Sequence, residues 1–208
     1  MILLREKRSR NINQNTINMK QKRLFLFVFI LSIFVMSCSR ESCSNLLQEK
    51  GKSQTAVIQL LQQIDSLGMI GEYNATIAKE YICKSEEFCG AYPEDPLSPE
   101  FLCKAGLMAM TVAKLADNSE EIELYSKKAL TIFDDIQRVY PDFINLKHCM
   151  LNKGVVYDDI LHDYQNAEIY YREFIARYPT DTLAINIEAY LQYLGKSPEE
   201  ILSNTINR

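Results

Sequence analysis

Residues Ala167–Pro179, which decide the fold of this chain, read AEIYYREFIARYP. Apolar side chains recur along the stretch at helical spacing, a small residue begins it, and Tyr178-Pro179 closes it. Proline lacks the amide hydrogen that a helix interior needs, and it disfavours helical backbone at the residue before it. The stretch therefore predicts one amphipathic α-helix that ends at the Tyr-Pro pair.

The same pattern occurs earlier in the chain. Residues Ala129–Pro141 read ALTIFDDIQRVYP and align with Ala167–Pro179 at a constant offset of 38 residues, without a gap. A period of this length is typical of helical-hairpin repeats. A third Tyr-Pro lies at Tyr92-Pro93, but Tyr81 and Ser85 break the rest of that match. We therefore expect a degenerate unit there.

Each repeated helix is preceded by a glycine-bearing apolar stretch. Gly154 lies inside MLNKGVVYDDIL, and Gly106 occupies the corresponding place ahead of Ala129. A glycine inside a helix costs about 1 kcal/mol relative to alanine. We therefore expect close helix–helix approach at both glycines.

Helix starts are also readable. Ser98 is expected to cap a helix that has Pro99 at its first position, and Asp117 with Glu120 predicts a capping box for the next helix. A second capping box, Ser197-Pro198-Glu199-Glu200, predicts a last short helix.

The best-preserved hairpin resembles a tetratricopeptide repeat. That family's order of Gly, Tyr, Ala, aromatic and Pro is filled by Gly154, Tyr157, Tyr164, Ala167, Tyr171 and Pro179, with one extra residue near His162. The unit of Gly106, Ala129, Phe133 and Pro141 also fits, with an inter-helix turn about ten residues longer. The resemblance covers residues 98–179 well and 70–97 weakly. It implies an all-α fold of antiparallel helical hairpins stacked as a short tetratricopeptide-repeat solenoid.

The amino terminus predicts export and lipid attachment. Arg23–Met36 is an apolar run behind a positive cluster, shorter than the about 20 apolar residues of a membrane span, as in a signal peptide. The V-M-S-C that ends at Cys38 resembles the lipobox of bacterial lipoproteins, which implies cleavage after Ser37 and acylation of Cys38. The alternative is an uncleaved signal anchor with Cys38 as an ordinary thiol. We expect Met19 to be the true start.

The expected organisation has four parts. Residues 1–37 are a lipoprotein signal peptide, 38–52 a flexible tether after lipidated Cys38, 53–182 the helical repeats, and 183–208 the C-terminal capping helices. The ending LGKSPEEIL looks like the close of tetratricopeptide lipoproteins of Bacteroidetes-type bacteria.

Composition argues against nucleic-acid binding. Without residues 1–37, 16 of the 23 Lys and Arg remain against 26 of the 27 Asp and Glu, which is a net charge of −10. Nucleic-acid binding relies on neutralising phosphates with basic side chains. We expect no nucleic-acid partner.

The cysteines follow no zinc-binding spacing. Cys103 and Cys149 lie on apolar helical stretches, so we predict buried thiols, although export permits disulfides. Cys83 and Cys89 are six residues apart on one predicted helix. Because this spacing turns them to different faces, we expect no bridge between them.

Residues with catalytic or metal-binding chemistry are scarce. His148 beside Cys149 lacks two further ligands for a metal site, and His162 is expected to be solvated. The acid pairs Asp134-Asp135 and Asp158-Asp159 are expected on solvated faces. Phosphate-loop and nucleophile motifs are missing from the sequence. We therefore expect a non-enzyme without catalytic residues, metal or cofactor.

The resemblance implies a groove lined by the first helix of each pair. Its candidate residues are Glu100, Cys103, Leu107, Met110, Thr111, His148, Leu151, Val155, Asp158 and Asp159. This set is mixed apolar and acidic, and it lacks the Lys, Arg and Asn that clamp a terminal carboxylate in peptide-binding members. An apolar or basic partner segment is therefore expected.

The functional expectation is a membrane-anchored scaffold. It would mediate protein–protein interaction in the bacterial cell envelope, serving outer-membrane protein assembly or secretion, and acylated Cys38 would hold it on the lipid bilayer of the outer membrane. The alternative is a periplasmic chaperone accessory held at the inner membrane by the uncleaved signal anchor.

Overall fold

The computed structural model describes residues 44–197, 199 and 200. The regular secondary structure of these residues is helical, so the all-α class is confirmed. The chain divides into two compact units, residues 1–51 and 52–208. In the first unit the described residues, 44–51, are helical.

The described part of the second unit contains seven α-helices. They are α1 (residues 52–69), α2 (Ala75–Ala91), α3 (Ser98–Lys114), α4 (Ser119–Val139), α5 (Leu146–Val155), α6 (Tyr164–Arg177) and α7 (Thr182–Leu191). A π-helical turn, Val156–Ile160, continues α5. Short connections place α2 against α3, α3 against α4, and α5 against α6.

Residues 44–52, which belong to the flexible tether predicted over residues 38–52, are helical. This segment reads SNLLQEKGK and contains no proline, and most of its residues are good helix formers. Its polar composition is that of an exposed helix as much as that of a linker.

Two predicted N-caps differ from those in the structure. The N-cap of α4 is Asn118, whose side chain accepts from the Glu121 amide at 2.9 Å, so the predicted box at Asp117 is displaced by one residue. Ser98 does not cap α3, because its hydroxyl is buried and donates to the Tyr92 carbonyl at 2.7 Å. Pro99, predicted at the first helical position, is the second residue of α3 and still lies in its first turn.

The predicted capping box at the carboxyl end is confirmed. The Ser197 amide donates to Glu200 Oε2 at 2.7 Å, and the Glu200 amide donates to Ser197 Oγ at 3.3 Å. Hydrogen bonding of the carboxylate to the backbone and side chain of Ser197 lowers the pKa of Glu200. Residues 199 and 200 are helical, and 201–208 lie outside the described residues.

The three Tyr-Pro pairs end three helices in the same way. The amide of each tyrosine donates to the carbonyl four residues earlier: Tyr92 to Phe88 at 2.8 Å, Tyr140 to Ile136 at 2.9 Å and Tyr178 to Phe174 at 2.9 Å. In the next turn, the amides of Asp95, Phe143 and Asp181 each donate to the tyrosine carbonyl at 3.0 Å. The unit that we expected to be degenerate therefore shares the backbone geometry of the other two.

Both glycine contacts are confirmed. A Cβ added to Gly106 would lie 2.4 Å from the Phe133 ring, and one added to Gly154 would lie 2.5 Å from the Tyr171 ring. Phe133 and Tyr171 are themselves buried. Each glycine thus lets an aromatic ring of the following helix lie against the helix backbone.

The two repeated hairpins, α3–α4 and α5–α6, contain extra residues, and these lie elsewhere than predicted. The connection of α3 to α4 is only residues 115–118, and longer helices hold most of the additional chain. The extra residue expected near His162 is absorbed by the π-helical turn, where the Leu161 amide donates to the Val156 carbonyl at 3.0 Å. A π-turn accommodates one inserted residue without ending the helix.

Candidate functional site

Helices α3 and α5 lie side by side and run in the same direction. Three side-chain contacts connect α3 with α5 and its π-turn at near-constant separations of 45, 46 and 45 residues. The contacts are Glu100 with Asn145, Cys103 with Cys149, and Lys114 with Asp159. The structure therefore brings the predicted groove positions of the two helices onto adjoining surfaces.

Nine of the ten predicted groove residues reach the surface to different degrees. Three are exposed (Glu100, His148 and Asp159), and six are half-buried (Leu107, Met110, Thr111, Leu151, Val155 and Asp158). The half-buried apolar members pack against the core while presenting one side outward. The surface is thus apolar along its middle with charged groups at its ends.

Cys103 is the exception among the predicted groove residues. Its side chain is 8% exposed, and its sulfur faces Cys149 at 3.5 Å rather than a groove. The sequence analysis also predicted that Cys103 is a buried thiol, and the structure confirms this burial. Cys103 is therefore a core residue, because its helical position points between α3 and α5.

Asp158 is not the solvated carboxylate that the sequence predicted. Its Oδ2 accepts from the hydroxyls of Tyr171 at 3.0 Å and Tyr190 at 2.8 Å. Burial raises the pKa of Tyr190 to about 12, and the hydrogen bond to Asp158 adds to the shift. The carboxylate therefore connects the π-turn to α6 and α7.

The other acids of the surface are paired as well. Asp159 forms an ion pair with Lys114, and Glu100 accepts from the Asn145 amide group at 3.5 Å. Lys147 at the start of α5 pairs with Asp181, the N-cap of α7, at 2.8 Å. Lysine charges thus offset Asp159 and Asp181, whereas the partner of Glu100 is a neutral amide.

The histidines stand apart from each other. His148 is exposed in the first turn of α5, and His162 is exposed with a left-handed φ of 53°. One ring nitrogen of His162 lies 3.1 Å from the Asp158 carbonyl oxygen. Within residues 44–197, 199 and 200, no three His, Cys, Asp or Glu side chains are grouped so that they could hold a metal ion.

A buried charge was missed from the sequence. Lys153 has only 7% of its side chain exposed; its ammonium pairs with Asp134 at 2.6 Å and lies 4.4 Å from the Tyr170 ring centroid. Tyr157 stacks on Tyr170 at 5.2 Å between centroids. The available signal was a lysine beside Gly154 in an otherwise apolar stretch.

Helices α2 and α4 also lie side by side. Two ion pairs, Lys79 with Glu121 and Lys128 with Glu86, connect α2 with α4 at the same separation of 42 residues. The 3.0 Å contact of Lys128 lies nearer the carboxyl end of both helices. Helices α2 and α4 are therefore parallel neighbours, as α3 and α5 are.

Two cavities of the second unit lie beside α1 and α2. A groove of about 510 Å³ runs between α1 and α2, where glutamines such as Gln59 and Gln62 line it beside Leu67 and Ile77. A smaller cavity of about 110 Å³ includes Thr111, the one predicted groove residue among its lining residues.

The predicted anchor lies outside the described residues. Cys38, the Arg23–Met36 run and the choice of Met19 as start all precede residue 44. Among the residues that the structure describes, no helix combines the length and apolar character that crossing a membrane requires.

Comparison of the chain with protein-family models, with curated proteins and with solved structures found no match.

Proposed function

We propose that this chain is a short tetratricopeptide-type solenoid that serves as a protein-binding scaffold in the bacterial cell envelope. The observation that carries the proposal is the constant register of non-sequential helices, 45–46 residues for α3 with α5 and 42 for α2 with α4. In a repeat array each unit contacts the next through the same elements, which produces such registers. The shared Tyr-Pro helix ends support the same arrangement.

The proposed binding surface is the adjoining face of α3 and α5. It offers half-buried Leu107, Met110 and Leu151, with exposed Glu100 and His148 at one end and exposed Asp159 at the other. An apolar middle with a polar rim is the usual anatomy of a protein-binding surface. The partner that suits it is an apolar segment flanked by basic residues.

Attachment to the membrane belongs to the proposal. Acyl chains on Cys38 would contribute roughly 0.8 kcal/mol per buried methylene and hold the chain on the outer membrane without a spanning helix. The scaffold would then act in outer-membrane protein assembly or secretion. The proposed activity is binding, with no catalytic residue, cofactor or metal.

The binding proposal is tested by affinity purification from solubilised envelopes with the full chain as bait. We expect the wild-type chain to retain a protein partner and Glu100→Lys to lose it by about fivefold or more, since a charge contact at an interface rim contributes about 1 kcal/mol. Glu123→Lys, a change at another exposed acid on α4, is the matched control. Retention of no partner by the wild-type chain, or equal retention by both variants, contradicts the proposed surface.

The anchoring proposal is tested by mass spectrometry of the mature amino terminus. An acylated Cys38 as the first residue supports it, and Cys38→Ser is then expected to release the chain from the membrane fraction. An intact Arg23–Met36 segment instead supports the inner-membrane accessory, in which the signal anchor stays attached.

A further inference from the structure

Two buried sulfur atoms meet between α3 and α5. Cys103 Sγ and Cys149 Sγ are 3.5 Å apart, and their side chains are 8% and 0% exposed. A disulfide bond has an S–S length of about 2.05 Å, so the two atoms need to approach by roughly 1.5 Å to be bonded. The two cysteines are 46 residues apart in the sequence. Their contact therefore depends on how α3 and α5 pack.

The other described cysteines have different surroundings. Cys83 is exposed, and its sulfur lies 3.4 Å from Glu87 Oε1. Cys89 is buried, and its thiol donates to the Ser98 carbonyl at 3.2 Å. Among the four cysteines that the structure describes, the sulfur–sulfur contact belongs to Cys103 and Cys149.

We propose that Cys103 and Cys149 are a redox pair that forms a disulfide bond between α3 and α5 when a small-molecule disulfide oxidises the protein. The Cys103 thiolate attacks one sulfur of R–S–S–R, which forms a mixed disulfide and expels RS⁻. Cys149 then attacks the Cys103 sulfur and expels the second RS⁻. The protons of both protein thiols end on the two RS⁻ ions, so one small disulfide is reduced as two protein thiols are oxidised.

The surroundings of the two sulfurs differ in a way that assigns the first attack to Cys103. The Cys149 thiol donates a hydrogen bond to Cys103, which lowers the pKa of Cys103 and raises that of Cys149. The thiolate is the reactive form, and the more accessible of the two sulfurs is the one that carries it. Cys149 is then the resolving thiol.

The bond would fasten neighbouring repeat units. Cys103 lies three residues before Gly106, and Cys149 lies five residues before Gly154, so the bond would adjoin both glycine contacts. It would lock the register of α3 against α5, whether or not their surface binds a partner. This inference rests on the sulfur geometry and is independent of the proposed function.

The experiment exposes the full-length chain in detergent to oxidised glutathione over a series of glutathione ratios. Acid quenching, alkylation under denaturing conditions, proteolysis and mass spectrometry then locate each thiol and disulfide. We expect a Cys103–Cys149 linked peptide, lighter than the two separate peptides by about 2 Da for two hydrogens. In Cys149→Ser we expect glutathione to remain trapped on Cys103.

The outcome is decided by one internal control and one stability measurement. Exposed Cys83 reports that the oxidant is active, because it should carry glutathione in the same sample. Closing the long loop between Cys103 and Cys149 is expected to raise the Tm of the oxidised wild-type chain by roughly 5–15 °C, and Cys149→Ser removes the increase. The proposal is overturned if Cys83 is modified while Cys103 and Cys149 stay alkylatable at every ratio, or if either is linked to another cysteine instead.

Discussion

At the scale of single residues, Gly154 sets the distance between α5 and α6. The Tyr171 ring lies where a side chain at this position would begin, and the Tyr171 hydroxyl donates to Asp158 at 3.0 Å. The ring is therefore held at both ends, by the glycine backbone and by the carboxylate. Gly106 and Phe133 repeat the first half of this arrangement in α3 and α4.

We predict that Gly154→Ala lowers the free energy of unfolding by up to about 2 kcal/mol. The new Cβ would lie 2.5 Å from the Tyr171 ring, and overpacking of this kind costs about 1–3 kcal/mol, against about 1 kcal/mol gained in helix propensity. Urea unfolding followed by circular dichroism measures the difference. Gly90→Ala is the matched control, because a Cβ there meets no atom within 4 Å and should stabilise the chain. Equal stabilisation by both variants would show that the Gly154 contact is not tight.

At the scale of helices, Lys153 fastens α5 to its neighbours. Its ammonium contacts Asp134 of α4 and the Tyr170 ring of α6, although only 7% of the lysine side chain is exposed. A charge in this position needs its partner, because the desolvated ammonium is costly when left unpaired. Asp135, the next residue of α4, instead pairs with exposed Arg138 on its own helix.

We predict that Asp134→Asn lowers the free energy of unfolding by roughly 1–2 kcal/mol, because it leaves the Lys153 charge without its carboxylate partner. Asp135→Asn is the matched control and should cost at most about 0.5 kcal/mol, since exposed ion pairs contribute little. The double variant Asp134→Asn/Lys153→Met should recover part of the loss. Urea unfolding of the four chains checks this, and equal effects of the two aspartate variants would contradict it.

At the scale of the whole molecule, buried thiols and phenols connect stability to alkaline pH. Burial raises the pKa of Cys89 from 9.0 to about 11, and partial desolvation with the Asp158 hydrogen bond raises that of the 41% exposed Tyr190 from 10.0 to about 12. Tyr81 and Tyr171 shift in the same direction, mainly because they are buried. Each group keeps its proton more tightly in the folded chain than in the unfolded one.

We predict that stability falls between about pH 9 and 12. Below pH 9 these groups are protonated in both states, and above it the unfolded chain releases protons that the folded chain retains, which favours unfolding. Urea midpoints from pH 7 to pH 12 measure the effect. Cys89→Ala should weaken the first part of the decline, between about pH 9 and 11. A midpoint that stays constant or rises over this range would contradict the prediction.

Much of the fold could be predicted because its signals are local. The Tyr178-Pro179 stop, the Ser197–Glu200 box and the Gly154 contact each depend on a few neighbouring residues. Errors arose where two neighbouring residues suit the same role. Asn118 caps α4, whereas the sequence analysis chose Asp117. The candidate site was harder, because Cys103 was predicted both as a buried thiol and as a groove residue, and only its packing against Cys149 of α5 decides between the two.

The sequence by itself determined the helical class, the repeated unit, the three Tyr-Pro ends and the burial of the cysteines on apolar faces. These follow from helical periodicity, proline chemistry and side-chain size within one or two turns. Only the tertiary structure decided which distant residues meet, such as Cys103 with Cys149 and Asp158 with Tyr190. The physical reason is register: the lengths of α3 and α4 and the π-turn after α5 set the alignment of helices about 45 residues apart, and no short window of sequence carries that information.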